Sequence, residues 1–262
     1  QNYHNAYKPI FDGMTQWIAD NREALDIRFV FHTGDVVGSW RSEDQWRQAR
    51  ESMGILSSAS IPFLTVCGNH DIGYRMNYAN FLKYLLSLRP ASMSQEYGDT
   101  GSRYELFSAN GRDYIFMGIA FSNKGPGEDE VNWINGVLRQ YSSRDAIIIT
   151  HSYLKKSAAY TTQGKAIFEK IVKANPNVFL VLCGHCRDIS YKNVQLDDDG
   201  DGDPDRTVYA ILSNFQGSKA GGGGYMRILD FRDSDIYIYT YSPYYDSCEY
   251  PKGKTEATVP LP

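Results

Sequence analysis

The sequence is poor in the residues that carry most metal and redox chemistry. Histidine occurs five times in 262 residues and cysteine four times. No apolar run approaches the ~20 residues that a helix needs to cross a bilayer, so these residues offer no spanning helix. Positive charge is not in excess: 27 Lys and Arg stand against 31 Asp and Glu, for a net charge of −4. A general nucleic-acid binder carries a basic surface, so that class is disfavoured. The cysteines, at 67, 183, 186 and 248, do not form a disulfide framework. There is no repeat of 20–50 residues and no interdomain linker.

What is present suffices for a core. A chain of 29.7 kDa should expose roughly 11,600 Å² when folded, against about 43,000 Å² when extended. Neither a disulfide nor a metal is needed simply to hold it together. Helical spacing marks residues 5–20, 43–57 and 76–88, then 130–141 with Asp129 as its expected cap, and 163–174. Short apolar runs at 27–33, 61–66, 146–150 and 178–182 read as buried strands. Strands at 103–108 and 113–121 flank Asn110-Gly111, a strong hairpin signal. Beyond residue 200 only strands are expected, at 206–213, 225–231 and 235–241. The pattern is α/β with a mixed sheet system in a single domain spanning 1–262.

Four buried strands end in polar clusters: Gly34-Asp35, then Gly68-Asn69-His70-Asp71, then His151, then Gly184-His185. Open α/β folds build their sites at the carboxyl ends of strands. Each residue alone has a bland reading, since Asp35 could cap a helix and His151 could be a buried structural histidine. Together, three of the five histidines stand beside a carboxylate and an amide, and that donor mixture suits Zn, Mn or Fe.

The segments HTGD (32–35), CGNHD (67–71), IITHSY (148–153) and LCGHCR (182–187), in this order, resemble the calcineurin-like metallophosphoesterases. The resemblance implies a sandwich of two mixed β-sheets flanked by helices (αββα). It implies a metal-dependent phosphoesterase that cleaves a phosphomonoester or phosphodiester by attack of metal-bound hydroxide. Asp35, Asn69, His151 and His185 would hold metal, with Asp35 bridging two ions. His70 would lie by the phosphate and protonate the leaving oxygen. The implied cofactor is one or two ions of Mn, Fe or Zn, and the implied partner a small-molecule, nucleotide or lipid phosphoester.

Two features depart from the family pattern. The first strand, which carries an Asp-x-His or Asp-x-Gln motif, is missing, so it and its Asp are expected upstream of Gln1. Gln1 and His32 are the candidates for the first metal or for supporting its ligands, although His32 also reads as a plain buried strand histidine. The family's Gly-His-x-His is here Gly184-His185-Cys186-Arg187. Guanidinium has no lone pair for a metal, so one tight ion is expected. Arg187 either pairs with a phosphate oxygen or points into a surface salt bridge. A degenerate member that binds without catalysis is the main alternative.

Two further motifs compete. Cys183-Gly184-His185-Cys186 matches the CGHC of thiol-disulfide oxidoreductases, but no helical spacing follows it, and such a thiolate needs a helix N-terminus. The acidic stretch 197–203 opens like a calcium loop through Asp197, Asp199 and Asp201, with Val208 where a Glu is required. Calcium and a solvated turn both remain open there. That loop, together with processing, points weakly to an exported protein. His4 is expected at the surface. The glycine run 221–224 reads as a turn, and the late tyrosines as packing.

Overall fold

The computed structural model describes residues 5–88, 96–98, 100–250, 253 and 256–262. Gln1 and His4 lie outside the described residues. Along the chain come α1 (Lys8–Asp20), β1 (Val30–His32), α2 (Glu43–Ser58), β2 (Phe63–Thr65), α3 (Asn69–Ile72), α4 (Ala79–Tyr84) and β3 (Glu96–Tyr97). Next are β4 (Ser102–Ala109), β5 (Arg112–Ile119), α5 (Glu128–Gln140), β6 (Asp145–Thr150), α6 (Thr162–Ile167) and β7 (Val178–Cys183). The rest is β8 (Asp188–Leu196), β9 (Arg206–Asn214), β10 (Met226–Phe231), β11 (Asp235–Tyr241) and β12 (Glu256–Pro260).

Seven strands form one mixed sheet in the order β3-β4-β5-β6-β7-β9-β8. Its centre, β5-β6-β7-β9, is parallel and its flanks are antiparallel. One face packs on α5 and α6 through Val131, Ile134, Leu138, Ile167 and their neighbours. The other face, with Phe116, Ile147, Ile149 and Leu182, meets Leu64, Ile236, Ile238 and Val259 of a second strand layer. Beyond that layer lie α1 and α2, packed through Phe11, Trp46, Met53 and Leu56. The layering is the expected α–β–β–α. Among the described residues the second layer is in two pieces, the parallel pair β1-β2 and the antiparallel triplet β10-β11-β12.

Local chemistry explains most boundaries. Ser42 caps α2 through its hydroxyl, as the first-turn donors require. Asn110 and Gly111 both adopt positive φ, 51° and 71°, as a tight two-residue hairpin demands. Gly127, not Asp129, is the N-cap of α5. Asp129 falls in the first turn, where its charge still suits the helix dipole. Strand β8 directly follows Arg187 where no element was expected. No helix among the described residues is long and apolar enough to cross a membrane.

Candidate metal centre

Strands β1 and β2 lie side by side in one layer, and β6 and β7 in the other. Their carboxyl ends bring Asp35, Asn69, His151 and His185 together from both sheets. His151 Nε2 is 3.4 Å from Asp35 Oδ1, 3.2 Å from Asn69 Oδ1 and 3.1 Å from His185 Nδ1. One donor atom from each of Asp35, His151 and His185 lies within 4.8 Å of the others.

The turn geometry is unusual and has a cause. Asp35 and His185 are both in the left-handed region, at φ 57° and 64°. Non-glycine residues seldom adopt it, and they do so at functional sites where the surroundings impose it. Two glycines make room. A Cβ on Gly68 would overlap the Asp35 carboxylate and backbone N. A Cβ on Gly34, whose φ is 90°, would press on the Gly68 backbone N and His151 Nδ1.

The donors are oriented from behind. Thr33 carbonyl accepts the His151 Nδ1 proton at 2.7 Å, which fixes the tautomer and leaves Nε2 with its lone pair. Phe121 packs edge-on against His151 and tilted against His185. Asp71 is fully buried and ties the two turns together. Its carboxylate accepts from Val37 N–H at 3.0 Å and Gly68 N–H at 2.7 Å. Burial, followed by the charge of Asp35, pushes the Asp71 carboxyl up to about 6.

Electrostatics keep the donors in their binding forms. Burial works against the Asp35 charge, but the facing His151 ring and the His70 backbone N–H outweigh it and hold the carboxyl at about 2. The His70 N–H donates to Asp35 Oδ1 at 2.9 Å. Burial first, and His151 second, lower the pKa of His185. A carboxylate, an amide oxygen and two imidazole nitrogens thus converge in a site that buries Asp35 and His151 and half-buries Asn69 and His185. These are four electron-pair donors with few protons to share. A divalent cation satisfies that set, and the residues present fit one.

The chain's own pattern matches the calcineurin-like phosphoesterase family model over residues 4–186. The chain belongs to the calcineurin-like phosphoesterase family. It is 40% identical over 250 residues to the uncharacterized protein YvnB of Bacillus subtilis (strain 168), which covers 93% of this chain and 19% of YvnB. The calcineurin-like domain thus spans about a fifth of that relative's length. It also resembles the crystal structure of TT1561 of Thermus thermophilus. That likeness has a TM-score of 0.52 at 12% identity, over 96% of this chain and 95% of the other, and is a likeness of fold.

The remaining candidates of this calcineurin-like phosphoesterase divide. His70 is adjacent, with Nδ1 3.0 Å from the Gly38 carbonyl. Arg187 is exposed and makes no ion pair among the described residues, so the surface salt bridge is absent there. His32 stands outside the donor group; its Nδ1 accepts from Gly34 N–H at 3.1 Å and so steadies the turn that presents Asp35. Burial above all lowers its pKa to about 3.

The acidic loop gathers Asp197, Asp199 and Asp205, not Asp201. Asp201 instead accepts from Asp203 N–H, while Asp205 turns back onto the amides of Asp198 and Asp199. The redox reading fails on two grounds. Cys186 leads into strand β8, not a helix, and burial pushes the Cys183 thiol up to about 12. All four cysteines are free.

Thr33, Phe121 and Asp71 support the site but were given no role by the sequence. Thr33 and Asp71 sit inside the quoted motifs, so their position was the available signal. Phe121 had none beyond following a buried strand.

Proposed function

We propose that the chain hydrolyses phosphoesters with one divalent cation held by Asp35, Asn69, His151 and His185. The observation that carries this reading is the convergence of their donor atoms around His151 Nε2, at 3.1–3.4 Å. When bound, such an ion lowers the pKa of coordinated water toward ~7 and offsets charge on the phosphoryl oxygens. Mn, Fe and Zn all suit the mixed nitrogen and oxygen set.

The chain's own residues do the rest. His70 gives a proton to the departing oxygen as the ester P–O bond breaks, and the attacking water forms the new P–O bond and releases its proton to solvent. The Gly38 carbonyl takes the Nδ1 proton, so Nε2 is the nitrogen that delivers. The His70 backbone bond to Asp35 Oδ1 holds this acid in fixed relation to the cation's ligands. Arg187, exposed two residues beyond His185, pairs with a non-bridging phosphate oxygen, which its fork geometry suits. A single strong cation site is supported by the lack of a lone pair on Arg187.

The test uses 4-nitrophenyl phosphate and bis(4-nitrophenyl) phosphate with chelator-treated protein. Nitrophenolate release restored by Mn²⁺ supports the reading, and the better ester assigns monoesterase or diesterase. No release from either ester with Mn²⁺, Fe²⁺ or Zn²⁺ overturns it and leaves a binding module on a phosphoesterase fold.

A further inference from the structure

Strand β9 lies between β7 and β8 in the seven-stranded sheet. The chain nevertheless passes from β7 straight to β8 through residues 184–187. That short connection must therefore cross the carboxyl end of β9. The register shows what it crosses. Cys183 of β7 stands opposite Leu212 of the parallel strand β9, and Asp188 of β8 opposite Asn214. Two residues beyond Cys183 is His185, and two beyond Leu212 is Asn214. The pair is level at the strand ends.

Asn214 uses both ends of its amide at this point. Nδ2 donates to the His185 carbonyl at 2.9 Å, and Oδ1 accepts from the Gln216 N–H at 3.0 Å. The second bond fixes which way the amide faces, so the first has a defined donor. An ionised aspartate could not make both bonds, because it has no proton to give.

The carbonyl that Asn214 holds belongs to a strained turn. His185 has φ 64°, which a non-glycine residue keeps only where its surroundings impose it. The turn is tight, with the Cys186 N–H donating to the Gly184 carbonyl at 2.8 Å. His185 meets His151 through Nδ1, at 3.1 Å. Nδ1 is the ring nitrogen nearer the backbone. Only two side-chain torsions separate it from Cα, so a shift of the turn carries directly to it.

We propose that Asn214 is a positioning residue for the metal centre. It props the 184–187 connection over the end of β9 and so sets where His185 Nδ1 stands. This rests on the reading of His185 as a metal ligand and adds a residue outside the ligand set.

Isothermal titration of chelator-treated protein with Mn²⁺ tests it in wild type, Asn214→Ser, His185→Ala and the double variant. Serine can keep the local bond to the Gln216 N–H but is too short to reach the His185 carbonyl. Asn214→Ser should bind Mn²⁺ roughly 10- to 100-fold more weakly, the range for groups that orient a ligand. The same change made on His185→Ala should weaken binding less than about 2-fold, because the ligand it positions is gone. The visible bands of Co²⁺ bound at saturation should also shift in Asn214→Ser. Thermal melting checks that each variant is folded. If Asn214→Ser is not, Asn214→Asp takes its place. It keeps the size and the acceptor, and it should lose affinity although its charge alone favours a cation.

Wild-type affinity in the Asn214 variant, with His185→Ala weakened, overturns this proposal alone. So do unchanged Co²⁺ bands, or an equal loss on both backgrounds, which a purely structural role would give. Wild-type affinity in His185→Ala overturns it together with the metal assignment of His185.

Discussion

Nε2 of His151 lies 3.1 Å from Nδ1 of His185. The His151 proton is committed to the Thr33 carbonyl on the other side of the ring. The two rings, from adjacent strands of one sheet, therefore meet nitrogen to nitrogen, with the Nε2 lone pair of His151 turned toward His185. Asp35 Oδ1 and Asn69 Oδ1 crowd the same point. A cation resolves that arrangement. His151→Ala and His185→Ala should each weaken Mn²⁺ binding by more than ~100-fold, since outer-shell partners alone are worth 10–100-fold. Isothermal titration of chelator-treated protein measures it. Unchanged affinity in both variants would remove them from the ligand set.

His70 behaves differently. Its contact with Asp35 runs through the backbone, so changing the ring leaves that bond in place. His70→Gln should lose roughly 10²- to 10⁴-fold in kcat while retaining the wild-type metal content. Metal lost in parallel with turnover would make His70 a ligand.

Gly68 tests the packing. Its backbone is extended, at φ −108°, so any residue could adopt it; only space forbids a side chain. Gly68→Ala should displace the Asp35 carboxylate and abolish tight metal binding. The overpacking should cost about 1–3 kcal/mol of stability. Thermal melting and metal analysis read the two effects separately. A fully loaded Gly68→Ala protein would show that the turn is looser than described.

His32 sets an acid limit. Its folded pKa is lowered to about 3, chiefly by burial, so the folded state stays neutral where the unfolded state takes up a proton. Its contribution to stability is intact above about pH 6.5 and is lost as pH falls toward 3, by up to about 1.4 kcal/mol per pH unit. His32→Asn should flatten the fall in urea-unfolding stability between pH 6.5 and 4.5 relative to wild type. The difference between the two proteins isolates this group from Asp71, whose raised pKa acts in the opposite direction. Parallel curves would contradict the assignment.

The strands that carry the site were legible because each is a short apolar run cut off by glycine and a polar residue. That contrast survives in one dimension, and it located Asp35, Asn69, His70, His151 and His185. Strand β8 was not legible. Its buried residues are Asp188, Ile189 and Ser190, and the rest of it is partly exposed and mostly polar, so neither an apolar run nor a clean alternation marks it. The support from Thr33 to His151 is equally hidden, because it uses a backbone carbonyl 118 positions away. The acidic loop shows the limit of spacing rules. Asp201 has the expected position, yet Asp205 folds back to join Asp197 and Asp199.

The most direct measurement is one titration of the chelator-treated chain with Mn²⁺, following bound ion and nitrophenyl ester hydrolysis together. Turnover should rise in proportion to the first ion bound per chain, and Asp35→Asn should lose both signals. Hydrolysis that persists without bound metal, or one ion bound tightly to Asp35→Asn, would contradict the account.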